Sequence, residues 1–229
     1  MSFDIELAIR LLPDLASGLW ITVLLLLPTY VFGFLLSVPL ALAKRSRSAS
    51  MRHPATWYVA FMRGAPQLVL LYFVYNGFPY LGPIRDTFLW VFFKEPMFCA
   101  IFVFVLNHAA FLAVIWRGAL NDVPKGIVEA AQALGTPNWL IFLRIEFPLA
   151  FRIGFPAYRN EVVLFLKATS VVGAITVFDI LGFAKEAVDL TFDPFTPLAM
   201  AGLVYWSMVQ VVQLTFDRIE WAMRLDRQA

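Results

Sequence analysis

Cysteine, histidine and charge are all scarce in this sequence of 229 residues. A single cysteine, Cys99, excludes a disulfide framework, and two histidines, His53 and His108, do not supply the ligand spacing of a zinc or iron site. Charged residues make up 15% of the chain, whereas a soluble domain carries roughly 25%. The net charge of +2 is too small to indicate a nucleic-acid partner.

Hydrophobic residues, in contrast, make up 61% of the chain, and its mean hydropathy is +0.75. A helix that crosses the hydrocarbon core of a bilayer needs about 20 apolar residues, and four stretches without any charged residue reach that length. The composition therefore predicts an all-α integral membrane protein and excludes a disordered chain. We expect one transmembrane domain, 1–229, with five membrane-spanning helices. They are expected at 15–43, 57–80, 96–116, 153–178 and 196–217.

The fourth expected span contains Arg159, Glu161 and Lys167, so hydropathy alone does not establish it. The positive-inside rule supports it, because Lys and Arg are enriched in short cytoplasmic loops. With five spans, most of the 18 lysine and arginine residues lie inside. The cations left outside are Arg10, Arg85, Lys94 and Lys185. The rule predicts an external N-terminus and a cytoplasmic C-terminus, and residues 3–12 are expected to form a short helix on the outer membrane surface.

The segment 117–152, between the third and fourth spans, is long for a loop, and long loops are commonly functional. Apolar residues recur at helical spacing in 127–134, and Gly135 is a natural helix stop. Thr136 followed by Pro137 is typical of the N-cap and first residue of a second helix. We therefore expect two short cytoplasmic helices. The alternatives are interfacial helices without a partner and, much less favoured beside two membrane spans, a DNA-binding helix-turn-helix.

The sequence contains no phosphate-binding G-x-x-x-x-G-K-[ST] loop and no G-x-S-x-G motif, so we do not expect this chain to hydrolyse ATP by itself. An intramembrane enzyme would need a paired nucleophile and base, or metal ligands, which two isolated histidines do not supply. We predict a transport subunit rather than an enzyme, without a cofactor or metal of its own. A channel that is not driven by ATP is the alternative.

A signature in the cytoplasmic segment indicates the family that the sequence resembles. Its residues are Glu129, Ala130, Ala131, Gly135, Ile145 and Pro148. They reproduce the pattern E-A-A-x3-G-x9-I-x-L-P, with Phe147 in place of the usual leucine. This pattern marks the permease subunits of ABC importers that work with a solute-binding protein, and the resemblance implies the type I ABC importer permease fold.

Nearly the whole chain resembles the polar amino-acid group of these permeases. The similar segments are 63–67, 107, 117–118, 123–126, 156–162, 167–170 and 193–195. The sequence around Asn160 and Glu161 is most similar to the histidine, octopine and nopaline branch. Val114 stands where many members have an acidic residue, so any role of that carboxylate in seating an ammonium group is not carried over.

The resemblance implies a complex in the bacterial inner membrane. Its other parts would be a second, non-identical permease subunit, two cytoplasmic ATPase subunits that bind ATP and magnesium, and a periplasmic solute-binding protein. The helix in 129–135 would be the coupling helix that docks into a groove on the ATPase. Glu129 would meet a basic or hydroxyl partner there, while Ala131 and Gly135 would permit close approach. The alternative for Glu129 is a capping or solvated carboxylate.

Polar residues within the expected spans are candidates for the substrate path, because charge inside a bilayer is costly. The candidates are Asn107, His108, Asn160, Glu161, Lys167 and Ser170. Asn160 and Lys167 are seven residues apart and share a helix face, with Ser170 a turn further on. Structural roles are the alternatives: Glu161 could pair with Arg159 or a neighbouring chain, and Asn107 and His108 could form hydrogen bonds between helices.

Overall fold

Long apolar runs fold into long helices in the computed structural model, which describes residues 3–225. The described residues contain helices and connecting turns but no strand. Three helices are long and apolar enough to cross a membrane, and the number rises to five if each of two bent helix pairs is one span. The three long helices are α1 (Ile5–Arg45), α6 (Pro96–Asn121) and α11 (Phe195–Leu225). Residues 226–229 of the predicted cytoplasmic tail lie outside the described residues.

α1 is one continuous helix of 41 residues, so the prediction of a separate surface helix at residues 3–12 is wrong. Asp4 caps its N-terminus, because the Asp4 side chain accepts a hydrogen bond of 3.0 Å from the backbone N–H of Leu7. Three prolines lie inside α1 without ending it, as membrane helices tolerate. α1 therefore begins ten residues before the predicted start of the first span at residue 15.

The expected second span, 57–80, is broken into two helices. α2 (Ala49–Gly64) is followed by α3 (Gln67–Tyr72), which continues through a π-turn and a 3₁₀ turn to Tyr80, and the two parts meet at 104°. The break falls at Ala65 and Pro66, where Ala65 is extended with ψ of 133°. The physical reason is proline, which disfavours the helical conformation of the preceding residue. Two short helices follow: α4 (Gly82–Arg85) and α5 (Trp90–Phe93).

The second half of the chain contains the segment 117–152, which is predicted to be cytoplasmic, and another bent pair of helices. α7 (Lys125–Ala133) and α8 (Asn138–Ile141) lead through a π-turn, Phe142–Glu146, into α9 (Phe147–Ala168). A 3₁₀ segment, Thr169–Ile175, extends α9 towards α10 (Ile180–Thr191), which is bent from it by 51°. The expected fourth span, 153–178, thus lies on α9 and its 3₁₀ extension.

α6 lies at the centre of the bundle. Of the residues in its most apolar 18-residue stretch, 61% are buried, compared with 17% for the corresponding stretch of α11. α1 packs along α6, and also against the bend before α10, through a stripe of small buried residues that are four or seven residues apart. The stripe consists of Gly18, Thr22, Thr29, Gly33, Ser37 and Ala41. A Cβ atom at Gly33 would lie 2.9 Å from the His108 ring of α6. Small side chains therefore let these helix backbones approach closely, as is typical of membrane helices.

An aromatic cluster joins α1, α6 and α9 near the predicted cytoplasmic segment. It consists of Phe34, Trp116, Phe151 and Tyr158. The ring of Trp116 lies 5.5 Å from that of Phe34 and 5.6 Å from that of Phe151. Gly154 permits this contact, because a Cβ there would lie 2.9 Å from the Trp116 ring. Three helices are thus fixed to one another by ring packing.

Asp193 organises the turn before α11. Its Oδ1 accepts hydrogen bonds from the backbone N–H groups of Phe195, at 2.9 Å, and Thr196, at 3.5 Å. Hydrogen bonding from the Thr196 side chain holds the pKa of the Asp193 carboxyl below its ordinary value. The same hydroxyl oxygen accepts a 3.0 Å hydrogen bond from the backbone N–H of Asp4, so this turn also holds the start of α1.

Candidate coupling site and translocation path

The first three signature residues lie on α7 and divide between its two faces. The side chains of Glu129 and Ala130 are exposed, and Ala131 is buried. Val128, half-buried, packs beside the cluster that contains Leu120 and Val123 at the end of α6. α7 is therefore seated by one apolar face and presents its other face outward, with Glu129 and Ala130 on that outward face.

The spacing between Ala131 and Gly135 corresponds to a helix-ending hydrogen-bond motif. The backbone N–H of Gly135 donates to the carbonyl of Gln132 at 2.9 Å, and that of Thr136 donates to the carbonyl of Ala131 at 3.1 Å. This pair of bonds is a Schellman motif, which needs a left-handed residue after the helix. Gly135 has φ of +78°, so glycine satisfies that requirement without steric cost. The signature thus encodes where the helix ends.

The next helix begins one residue later than the sequence predicts. Pro137 is the N-cap of α8, because its carbonyl accepts from the N–H groups of Leu140, at 2.9 Å, and Ile141, at 3.1 Å. The expected N-cap, Thr136, instead completes the turn after α7. The side chains of Gln132 and Asn138 connect the two helices through a 3.4 Å hydrogen bond. α7 and α8 are therefore two linked helices, as expected.

The remaining signature residues lie where the segment joins α9. Ile145 is half-buried in the π-turn, and Pro148 is in the first turn of α9, where its missing N–H is not needed. Phe147, which replaces the usual leucine, packs its ring 5.7 Å from that of Phe142. The larger side chain is thus accommodated by aromatic contact across the π-turn.

A polar cleft of about 420 Å³ opens beside Glu129. The residues that line it come from α7 and from the ends of α1 and α6, together with Glu146 of the π-turn. They are Arg45, Asn121, Val123, Lys125, Val128, Glu129, Gln132 and Glu146. Sequence reasoning missed the pairing of Arg45 with Glu146, because no local pattern links residues that are 101 positions apart.

Two of the predicted path residues, Asn107 and His108, are covered by the bundle itself. The side-chain amide of Asn107 donates a 2.6 Å hydrogen bond to the backbone carbonyl of Met62, which joins α6 to α2. His108 is fully buried, with ring centroids 5.3 Å from Tyr30 and 4.7 Å from Phe165. Asn107 therefore makes the hydrogen bond between helices that was its structural alternative. His108 packs between aromatic rings, and neither of its ring nitrogens has a hydrogen-bond partner among the described residues.

The other four candidates lie on α9 and its 3₁₀ extension. Asn160 and Lys167 are exposed on one face of α9 with Leu164 between them, as their spacing predicts. Glu161 and Ser170 are half-buried, and the Ser170 hydroxyl donates to the backbone carbonyl of Lys167 at 2.9 Å. The structure therefore brings Asn160, Lys167 and Ser170 into one row along the helix.

Asn160 and Ser170 line different cavities, each of about 300 Å³. The cavity at Asn160 lies between α9 and α11 and includes Gln213, while the cavity at Ser170 lies against α10 and includes Lys185. The row on α9 thus leads from one opening to another rather than forming a single binding pocket.

Arg159 has a partner other than the Glu161 that the sequence suggested, and Arg63 lies over an aromatic ring. Nη1 of Arg159 lies 2.6 Å from Oδ1 of Asp217 in α11, so a carboxylate other than Glu161 is its partner. The guanidinium of Arg63, at the end of α2, lies 5.1 Å from the Phe111 ring centroid. Residues 63–67 belong to the segments that resemble the polar amino-acid permeases, but no local pattern predicts a site role for Arg63.

Val114 lies in an apolar environment. It is half-buried and packs beside Val59, Ala110 and Ala113, which form a small buried cluster between α2 and α6. A carboxylate in place of Val114 would contact these apolar side chains of α2 and α6. Among the described residues, His, Cys, Asp and Glu side chains form no group of three that could hold a metal ion.

Residues 8–225 match the family described as binding-protein-dependent transport system inner membrane component. The chain is 37% identical over 219 residues to the nopaline transport system permease protein of Agrobacterium fabrum, with 95% of this chain and 91% of that protein covered. It is 35% identical over 205 residues to the histidine/lysine/arginine/ornithine transport system permease protein of Salmonella typhimurium, with 89% and 87% covered.

Solved structures with the same fold are also found. A chain of an amino acid ABC transporter crystallised with histidines superposes with a TM-score of 0.83 at 25% identity, covering 97% of this chain and 100% of that chain. A chain of an inward-facing methionine ABC transporter superposes with a TM-score of 0.78 at 20% identity, covering 93% and 97%.

Proposed function

This chain belongs to the family of inner membrane components of binding-protein-dependent transport systems, and on that premise we propose that it is a permease subunit of an ATP-driven importer of polar or basic amino acids or opines. The relatives that support this solute class carry nopaline, octopine or histidine, lysine, arginine and ornithine. The fold is that of type I ABC importer permeases, and such subunits transport rather than catalyse. The alternative, a channel without an ATPase, is not favoured by these relatives.

The coupling role is assigned to α7, with the following turn at Gly135. The observation that carries this proposal is an outward-facing helix that is ended by a Schellman motif at the signature glycine. Such a short, rigid helix with small residues can enter a groove on a cytoplasmic ATPase, with Glu129 available for a basic or hydroxyl partner. ATP and magnesium belong to that ATPase in this proposal.

The complex that we propose contains two permease subunits, two ATPase subunits and a periplasmic solute-binding protein. The exposed row of Asn160, Leu164 and Lys167 on α9 supports a second permease subunit, because an unpaired lysine inside a bilayer is costly unless it faces protein or water. The family places the chain in the inner membrane, which is bacterial in these relatives. Charge asymmetry supports an external N-terminus and a cytoplasmic C-terminus.

Transport by the reconstituted complex tests the proposed function. The chain is co-expressed with the ATPase, second permease and binding protein encoded beside it, and the complex is placed in proteoliposomes that contain ATP. Uptake of labelled arginine, histidine, octopine and nopaline is then measured. We expect ATP-dependent uptake of at least one of these solutes. The matched control is the same complex with an ATPase that binds but does not hydrolyse ATP, and equal uptake in both preparations would support the channel instead.

A further inference from the structure

Two oppositely charged side chains join the end of α1 to the segment just before α9. Nη1 of Arg45, the last residue of α1, lies 2.5 Å from Oε1 of Glu146, the last residue of the π-turn. Glu146 lies within the family signature, between Ile145 and Phe147, but neither charged residue belongs to the signature itself. The side chain of Glu146 is only 13% exposed, and that of Arg45 is 38% exposed.

The surroundings of the pair favour a specific contact over an incidental surface one. A carboxylate that is mostly removed from water needs a charged or hydrogen-bonded partner, because its desolvation is otherwise uncompensated. Lys125 and Glu129 line the same cleft, so the other charges nearby come from α7 itself. Loss of the Arg45 guanidinium would leave Glu146 beside Glu129, with Lys125 as the cation lining that cleft.

The position of Glu146 connects it to the coupling element. α8, the π-turn and α9 follow one another without a break, and Gln132 and Asn138 link α7 to α8. A displacement of α7 would therefore reach Glu146 through this segment. π-turns interrupt regular helices and occur often at functional positions.

The pair reaches a part of α1 that the aromatic cluster does not. Phe34 packs α1 against α6 and α9, and the fully buried Ala41 extends the contact with α6, whereas Arg45 lies four residues beyond Ala41, at the very end of the helix. A force that acts on Glu146 would thus reach α1 at its last residue, about one turn beyond the Ala41 contact. α1 packs along α6 and α10, so its movement affects both halves of the bundle.

We infer that Arg45 and Glu146 are a positioning pair that transmits movement of the coupling segment to α1, and this inference rests on the proposed function. Neither residue is expected to touch solute or nucleotide. Their ion pair makes α1 move with the π-turn when the ATPase draws α7 towards or away from the membrane. Without it, ATP hydrolysis proceeds while α1 no longer follows.

Charge reversal and charge exchange in the whole complex test this inference. The variants are Arg45→Glu, Glu146→Arg and the exchanged double variant, and the matched control is Arg47→Glu, an exposed cation two residues beyond α1. Each complex is assayed in proteoliposomes for ATP hydrolysis with and without its binding protein and a mixture of arginine, histidine, octopine and nopaline. Co-purification of the ATPase is measured in parallel.

We expect both single variants to retain the ATPase but to lose stimulation of hydrolysis about fivefold or more, the size of a typical coupling effect. The double variant should recover most of the stimulation, and Arg47→Glu should behave as wild type. Wild-type stimulation in the single variants, or an equal loss in the single and double variants, would overturn the inference. If charge reversal reduces membrane insertion, Arg45→Gln and Glu146→Gln replace the single variants; each should lose stimulation with the ATPase retained, and wild-type stimulation in both would overturn the inference. Absence of stimulation in the assembled wild-type complex would instead contradict the proposed function.

Discussion

The phenolic hydroxyl of Tyr205 in α11 donates a 2.6 Å hydrogen bond to Oδ2 of Asp179, at the bend before α10. Asp179 is fully buried, and its Oδ1 accepts a 2.9 Å hydrogen bond from the backbone N–H of Gly182. One carboxyl group therefore caps α10 and binds α11 at the same time. The backbone of this bend also contacts Gly18 of α1, so three helices meet at Asp179.

Tyr205→Phe should lower the stability of the permease, because Oδ2 of a fully buried carboxyl group loses its donor. The expected cost is about 1–3 kcal/mol of unfolding free energy. The midpoint of thermal unfolding in detergent is the measurement, and it should fall by several degrees. Tyr80→Phe is the control, since Tyr80 is 88% exposed. An unchanged midpoint in Tyr205→Phe would mean that this hydrogen bond contributes nothing net.

The sequence predicted features that depend on local chemistry. The long stretches without charged residues predicted α1, α6 and α11. Gly135 has the left-handed conformation that a residue after a helix end needs. The common face of Asn160 and Lys167 followed from helical spacing. In each case the determining residues are close together in the chain.

Features that depend on tertiary contacts could not be predicted in this way. Pro66 marks the break between α2 and α3 in the sequence. The two helices are apolar enough to be taken together as one span, so hydropathy alone does not show the bend. Asn107 and His108 were candidates for the path because polarity alone does not distinguish a solute ligand from a residue buried between helices. The partners Arg45 and Glu146, or Asp179 and Tyr205, come together only in the fold.

Gly18→Ala should disturb the packing of α1 against α10. A Cβ atom at Gly18 would lie 2.8 Å from the backbone of Ile180, and a backbone cannot move aside as a flexible side chain can. Overpacking of this kind costs typically 1–3 kcal/mol. Thermal unfolding in detergent should show the loss. Gly202→Ala in α11 is the matched control, because a Cβ there meets nothing within 4 Å; equal stability of the two variants would contradict close packing at Gly18.

The membrane orientation can be tested by labelling single cysteines. The native Cys99 is fully buried, so background labelling should be low. Glu186→Cys and Arg47→Cys place thiols on exposed positions of α10 and of the turn between α1 and α2. A membrane-impermeant maleimide added to right-side-out vesicles should label position 186, and position 47 only after lysis. The reverse pattern would contradict the external N-terminus.

Lys167→Met should reduce solute uptake while the complex still assembles. Lys167 is exposed on the face of α9 that also carries Asn160, where a cation would contribute to a polar path between two permease subunits. Uptake in proteoliposomes and ATPase co-purification are both measured. Lys94→Met, which removes an exposed cation from the turn between α5 and α6, is the control. Normal uptake by Lys167→Met would mean that this side chain extends along the helix to the lipid interface instead.

Substitutions at Gly135 should separate the two physical reasons for glycine in the coupling turn. Gly135→Ala places a Cβ in the left-handed conformation at φ of +78°, at a cost of about 1–2 kcal/mol. Asn enters that conformation more readily, so Gly135→Asn should retain most of the coupling. Gly135→Asp has nearly the same shape as Asn but adds a negative charge at the C-terminal end of α7. That charge opposes the helix dipole and would face a desolvated groove on the ATPase.

The measurement is co-purification of the ATPase together with ATP hydrolysis stimulated by solute and binding protein. We expect a graded loss, small for Asn, larger for Ala and largest for Asp, with membrane insertion unchanged because Gly135 is exposed outside the predicted spans. Gly126→Asp is the matched control: it adds the same charge at the N-terminal end of α7, where the dipole favours it and a Cβ meets nothing within 4 Å. If Gly135→Asp couples as wild type, or if Gly126→Asp fails equally, the C-terminal turn of α7 is not the element that docks on the ATPase.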